Sequence, residues 1–116
     1  MAARKKNSLG EIVIADEVLA TLAGISAMEC YGIVGMAAKR PTDGLVELLG
    51  LENLSRGVKV YTQDNEVYIN LYIIVEYGIS IATVARNVME TVKYNIENFT
   101  GVSVKRVDIN VEGIRV

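Results

Sequence analysis

Few residue types in this chain can do chemistry, and their spacing narrows what is open to them. The sequence holds no histidine, which removes the commonest general base and the commonest metal ligand together. Its single cysteine, Cys30, excludes an intrachain disulfide and fits a reducing compartment. Glu29 adjoins Cys30 and no basic residue does, so the thiol lacks the electropositive setting that activates a nucleophile. Asp16 and Glu17 could be imagined as acid and base. Adjacent helix residues point in different directions, however, and the pair reads as a helix start. Gly32-Ile-Val-Gly35 has the spacing of the GxxG loop with which some RNA-binding domains clamp a backbone, but neither intervening residue is basic. Close packing of backbone against backbone is the competing reason for both glycines. Arg4-Lys5-Lys6 could touch phosphate or anionic lipid, though three basic residues in a polar stretch are usually just solvated. No base, nucleophile or ligand set assembles from these pieces. The expectation is therefore a non-enzymatic binding domain, with no catalytic residue, cofactor or metal.

The elements that would position a binding surface are clearest over residues 58–101. Val58-Lys-Val-Tyr-Thr-Gln63 and Glu66-Val-Tyr-Ile-Asn-Leu-Tyr-Ile-Ile-Val-Glu-Tyr77 flank Asp64-Asn65, two residues that tolerate the positive φ of a tight hairpin turn. A two-residue loop pairs Gln63 with Glu66, Thr62 with Val67, Val60 with Ile69 and Val58 with Leu71. Val58, Val60, Val67, Ile69, Leu71, Ile73 and Val75 then share one face. Ser80 is placed to cap a following helix, and Gly101 to end it. Ile81, Val84, Ala85, Val88, Val92, Ile96 and Phe99 recur at spacings of three and four, a stripe that packs on the hairpin.

The remainder is read with less help from periodicity. Residues 1–8 are expected as a flexible polar tail, and residues 9–14 as a short strand. Asp16 and Glu17 open a helix whose buried side is expected to be Val18, Leu19, Leu22 and Ile25. Residues 31–38 suggest a short strand with glycine-relaxed ends. Lys39-Arg-Pro-Thr-Asp43 breaks the pattern, and residues 45–51 suggest a leucine-rich helical turn. The connector over residues 39–57 is the candidate for gating or recruitment, because connectors carry function more freely than packed elements. Residues 102–116 form a last strand in which Val107, Ile109 and Val111 share a face. Val102, Val104, Ile114 and Val116 fall in the other phase, so Lys105-Arg106 and Gly113 mark bulges or bends.

The totals agree with one small domain. Of 116 residues, 51% are hydrophobic and 22% charged, enough to fill a core without disulfides or metal. A net charge of −2 and a pI of about 5.1 argue against a dedicated nucleic-acid binder. No apolar run approaches the roughly 20 residues of a membrane helix, and the basic start lacks the apolar core of a secretory signal. A cytoplasmic protein that reaches a membrane only through a partner is expected. The expected fold is α+β, a two-layer sandwich with a mixed, mostly antiparallel sheet and two main helices on one face, over residues 9–116.

The hairpin's second face is the anomaly. It carries Lys59, Tyr61, Tyr68, Asn70, Tyr72 and Ile74, where a sheet covered on one side normally offers water a more polar set. Tyrosine favours strands and tolerates exposure. It is also enriched where proteins meet, and Ile74 extends the apolar row, so Tyr61, Tyr68, Asn70, Tyr72 and Ile74 are the candidate interaction surface.

Three stretches carry a family resemblance: Gly10-Glu-Ile-Val-Ile-Ala15 leading to Val18 and Ala23; Tyr31-Gly-Ile-Val-Gly-Met36; and Val75-Glu-Tyr-Gly-Ile-Ser80 continuing through Val84-Ala-Arg-Asn-Val88 to Thr100-Gly101. With the closing Val107-Asp-Ile-Asn-Val-Glu-Gly113 they span nearly all of residues 9–116. The chain resembles the alkaline shock, or Gls-type, family of envelope stress response proteins from Gram-positive bacteria, most of all its small single-domain branch. The resemblance implies a non-enzymatic cytosolic protein of cell-envelope homeostasis that acts through protein–protein contacts. It also implies a membrane-anchored partner for some members, and a homo-oligomer. Long charged tails like those of larger members are absent from this sequence. Two alternatives stand beside it: an RNA-binding accessory domain using Gly32 and Gly35, and a small-molecule or acyl-chain carrier with a pocket between helices and sheet.

Overall fold

The structure, a computed structural model, describes residues 2–39, 46–48 and 55–116. Nine elements follow in order: β1 (Ala2–Asn7), β2 (Gly10–Ala15), α1 (Asp16–Met28), β3 (Ile33–Lys39), β4 (Val46–Leu48), β5 (Val58–Gln63), β6 (Glu66–Glu76), α2 (Ile81–Thr100) and β7 (Ser103–Arg115). β1 and β2 form a separate antiparallel hairpin, and the other five strands make one mixed sheet.

That sheet is built around β6. Its register with β5 is the expected one at every pair, from Val58 with Leu71 to Gln63 with Glu66. Asp64 and Asn65 carry the two positive φ values, 52° and 61°, of a tight hairpin turn. Further along the same edge of β6, β3 pairs antiparallel at Ile33–Val75, Gly35–Ile74 and Met36–Ile73. The opposite edge of β6 is taken over its whole length by β7, which runs parallel to it. A parallel neighbour needs a crossover, and α2 supplies it.

β7 holds register with β6 by means of two extra residues. Val104 pairs with Val67 and Arg106 with Tyr68, so Lys105 has no partner; Val111 pairs with Ile73 and Gly113 with Ile74, so Glu112 has none. These are the two phase resets expected from the alternation. They place Val104 and Val107 both in the core, although the two stand three positions apart and would otherwise face opposite ways.

α2 packs as its stripe requires. Val84, Val88, Val92 and Ile96 are buried against the sheet, each apolar side chain contributing about 1.5–3 kcal/mol before chain entropy is subtracted. Ser80 caps it by accepting from the Thr83 amide, and Gly101 closes it in the left-handed region at φ 73°. The ends of the stripe are not covered: Ile81 is partly exposed, and Phe99 is 65% exposed.

Three expectations are corrected. Residues 2–7 form strand β1 instead of a flexible tail. Asn7 Oδ1 accepts from the Leu9 and Gly10 amides and turns the chain, six residue pairs align with β2, and Ala3 is completely buried in the main core. On α1 the buried set is Leu19, Ala20, Ala23, Gly24, Ser26 and Ala27, while Val18 and Ile25 stay about half exposed at 49% and 45%. Small side chains let the helix axis lie close to α2 and the sheet, where Asn95 Nδ2 donates to Ser26 Oγ at 3.1 Å. The helical turn expected over residues 45–51 is instead a strand at Val46–Leu48, paired with β3. The rest of that turn, and most of the connector over residues 39–57, lie outside the described residues.

Candidate functional site

Pairing register alone assembles the candidate surface. Side chains alternate across β5 and β6, so with Val60 and Ile69 facing the helices, Tyr61, Tyr68, Asn70 and Tyr72 must face the other way. Tyr61 and Tyr68 are direct cross-strand partners, and their rings stack with centroids 4.8 Å apart and planes 1° from parallel. The stack fixes both rings before any partner arrives, which lowers the ordering cost of binding. Tyr61 remains 52% exposed, Tyr68, Asn70 and Tyr72 are half-buried, and Ile74 is buried beside Gly113. Ile74 therefore underpins the surface and is not available for contact.

β7 extends this face with residues the sequence reading did not join to it. Arg106 stands beside Tyr68, Asp108 beside Asn70, and Asn110 beside Tyr72. The Arg106 guanidinium Nε donates to both Asp108 carboxylate oxygens, at 2.8 and 3.0 Å. That hydrogen bond, with the charge of Asp108, raises the pKa of Arg106 above its ordinary value, and Tyr61 adds to the same direction. Asn110 Nδ2 donates to the Leu71 carbonyl at 3.1 Å and lies 3.5 Å from Asn70 Oδ1, tying the middle of the face together. The signal that could have found these residues is the helical link between β6 and β7. A crossover of that kind makes the two strands parallel neighbours and sets their polar faces side by side.

The other sequence candidates are placed differently. Gly32 and Gly35 are buried, Gly35 within β3 at its bulge against β6. A Cβ on Gly32 would stand 2.5 Å from Ile79 Cδ1 and 2.8 Å from Val84 Cγ2, so the position serves packing, against side chains rather than backbone. Cys30 is half-buried against the core, its Sγ 3.6 Å from the Ser26 carbonyl oxygen. Asp16 accepts from Thr62 Oγ1 at 3.1 Å, which ties the start of α1 to β5. Among the described residues no group of three or more His, Cys, Asp or Glu side chains could hold a metal ion. The space between helices and sheet is filled by Leu19, Met36, Ile69, Leu71, Ile73, Val88, Val92 and Ile96. Two open depressions of about 300 and 360 Å³ lie on the surface beside α1, one lined by Asp16, Glu17, Arg56 and Val60 and the other by Val18, Thr21 and Leu22.

These features define an α+β domain with one helix-covered and one tyrosine-bearing sheet face. The chain belongs to the alkaline shock protein 23 family, which has a cell envelope-related function and whose sequence profile matches residues 4–116. It is 46% identical to the uncharacterized protein YloU of Bacillus subtilis (strain 168), across 100% of this chain and 98% of that one. It is 38% identical to the uncharacterized protein Spy1614 of Streptococcus pyogenes serotype M6, across 92% and 89%. Among solved structures, the nickel form of a MamM CTD variant shares the fold at a TM-score of 0.51 and 9% identity, covering 84% of this chain and 96% of that one. A second MamM CTD variant matches at 0.51 and 10%, covering 84% and 94%. At such identity the likeness concerns fold alone. No helix among the described residues is long and apolar enough to cross a membrane.

Proposed function

We propose that the chain is a non-catalytic cytoplasmic protein of cell-envelope homeostasis that works as a homo-oligomer and binds a protein partner through the tyrosine face. The observation that carries the reading is the stacked Tyr61–Tyr68 pair, held open to solvent on a rigid two-strand platform. Fixed aromatic rings supply contact area at low entropic cost, and Tyr72 with the Asn70–Asn110 contact continues the surface. A partner anchored in the membrane would bring the protein to the envelope without any insertion of its own. The complete absence of histidine and the filled core favour recognition over turnover or carriage of a small molecule.

The test pairs Tyr68→Glu with Tyr72→Glu and compares affinity capture from extracts of the protein's own cells. Both side chains face away from the core, so the double variant should still unfold cooperatively, losing about 0.2–1 kcal/mol with the Tyr61–Tyr68 pair, and lose the captured partner. Identical captured sets from the two proteins would refute the reading.

A further inference from the structure

We infer that a second copy of this chain pairs antiparallel with the open edge of β7, about a two-fold axis beside Ile109, and continues the sheet from one copy into the other. β7 is 13 residues long and bonds β6 along one edge; among the described residues nothing pairs with its other edge. Half the backbone groups of such a strand point outward and are a template for another strand. At its start the edge is closed. The Val104 amide donates to Glu97 Oε2 at 2.9 Å, and the Val104 carbonyl accepts from Lys93 Nζ at 2.8 Å, so α2 occupies both outward groups. Beyond it, from Arg106 to Val111, the ladder with β6 runs without a shift, and no described side chain bonds the outer backbone.

Symmetry and charge then select the register. A two-fold axis normal to the sheet keeps both helix layers on one side, so residues of like face must pair and one residue meets its own copy. Centring on Asp108 sets that carboxylate against itself. Centring on Asn110 sets Asp108 against Glu112 of the second copy, twice. Centring on Val107 drives the second copy into the Lys93–Glu97 bracket on Val104. Centring on Ile109 avoids both clashes of like charge and brings only Ile114 of the second copy, next to the end of its strand, opposite the bracketed Val104. It brings Arg106 to Glu112 of the second copy, Asp108 to Asn110, and Val107 to Val111, with Ile109 against Ile109. The charged pair forms twice, and the half-buried Ile109 and Val111 at the margin of the core gain apolar neighbours. The occupant is therefore this same strand, complementary to itself.

This inference deepens the homo-oligomer reading by giving it a surface, and it uses an edge distinct from the tyrosine face. Sedimentation equilibrium of the full chain over a wide concentration series tests it. Wild type should be a reversible dimer. Arg106→Glu and Glu112→Arg should each weaken it about tenfold or more, since two favourable cross-strand pairs become repulsive, and the double variant carrying both should recover most of the loss. A monomer at every concentration, or a dimer that neither single change weakens, overturns the pairing. Should a variant fail to fold, hydrogen exchange on wild type decides: the outward-facing amides among residues 106–111, every second one, should slow as concentration rises, and rates independent of concentration overturn it. A lost dimer with intact partner capture counts against this edge alone. Unchanged capture by the tyrosine variants in an intact dimer counts against the tyrosine face alone.

Discussion

Gly32 and Gly78 share a backbone angle, φ +90°, and differ in what surrounds them. A Cβ on Gly78 would meet nothing within 4 Å, whereas on Gly32 it would meet Ile79 Cδ1 at 2.5 Å and Val84 Cγ2 at 2.8 Å. Gly78→Ala therefore carries the backbone cost alone, about 1–2 kcal/mol for an L-residue on the left-handed side. Gly32→Ala carries the same cost plus overpacking of about 1–3 kcal/mol, because Val84 is fixed in the core on the buried side of α2. The totals are roughly 1–2 against 2–5 kcal/mol, and the difference isolates the steric part. Urea unfolding followed by circular dichroism reads both, with unchanged slope as the check that compactness is the same. Equal costs at the two sites would refute the argument. They would mean that Gly32 is not held against Ile79 and Val84, and would free it for the loop role its GxxG spacing suggested.

Two further outcomes follow from single contacts. Ala3→Glu sets a carboxylate at a fully buried position, so it should cost roughly 1–3 kcal/mol and detach β1 from the core; a melt identical to wild type would mean residues 2–7 contribute nothing. Glu97 has its pKa lowered, first by the hydrogen bond from the Val104 amide; burial opposes this as the next largest effect, and Lys93 adds to the lowering by its hydrogen bond and charge. A carboxyl lowered on folding stabilises above its unfolded value of 4.5 and loses that stabilisation as pH falls toward its folded value. Glu97→Gln should therefore flatten the decline of the melting temperature below that pH and leave its shape near neutrality unchanged, and an acid decline as steep as in the wild type would contradict the assignment.

The β5–β6 register, both α2 caps and the two β7 bulges were legible in the sequence, because each has a local cause: a positive-φ pair, a capping serine, a phase break in an alternating run. The face of α1 was not. Val18, Leu19, Leu22 and Ile25 compete there with three alanines and a glycine over the same turns, and the buried side was chosen by how closely the helix could approach its neighbours. Strand β1 was missed because Arg4-Lys5-Lys6 dominates its composition. Its cause is the Asn7 turn and the fit of Ala3 to the core, and only the turn leaves a trace in sequence. Tyr61, Tyr68, Asn70 and Tyr72 were placed together correctly because one register sets them all. Ile74 followed the alternation onto the same face but is buried there beside Gly113.

The unpaired Lys105 and Glu112 bear on how this family can vary in length. Removing either one would heal the ladder and leave every other partner of β6 where it stands. Removing any single residue between them would turn half the strand over, exchanging Ile109 or its neighbours for charges in the core. Relatives that are one residue shorter in this strand should therefore show the gap at those two positions and not between them.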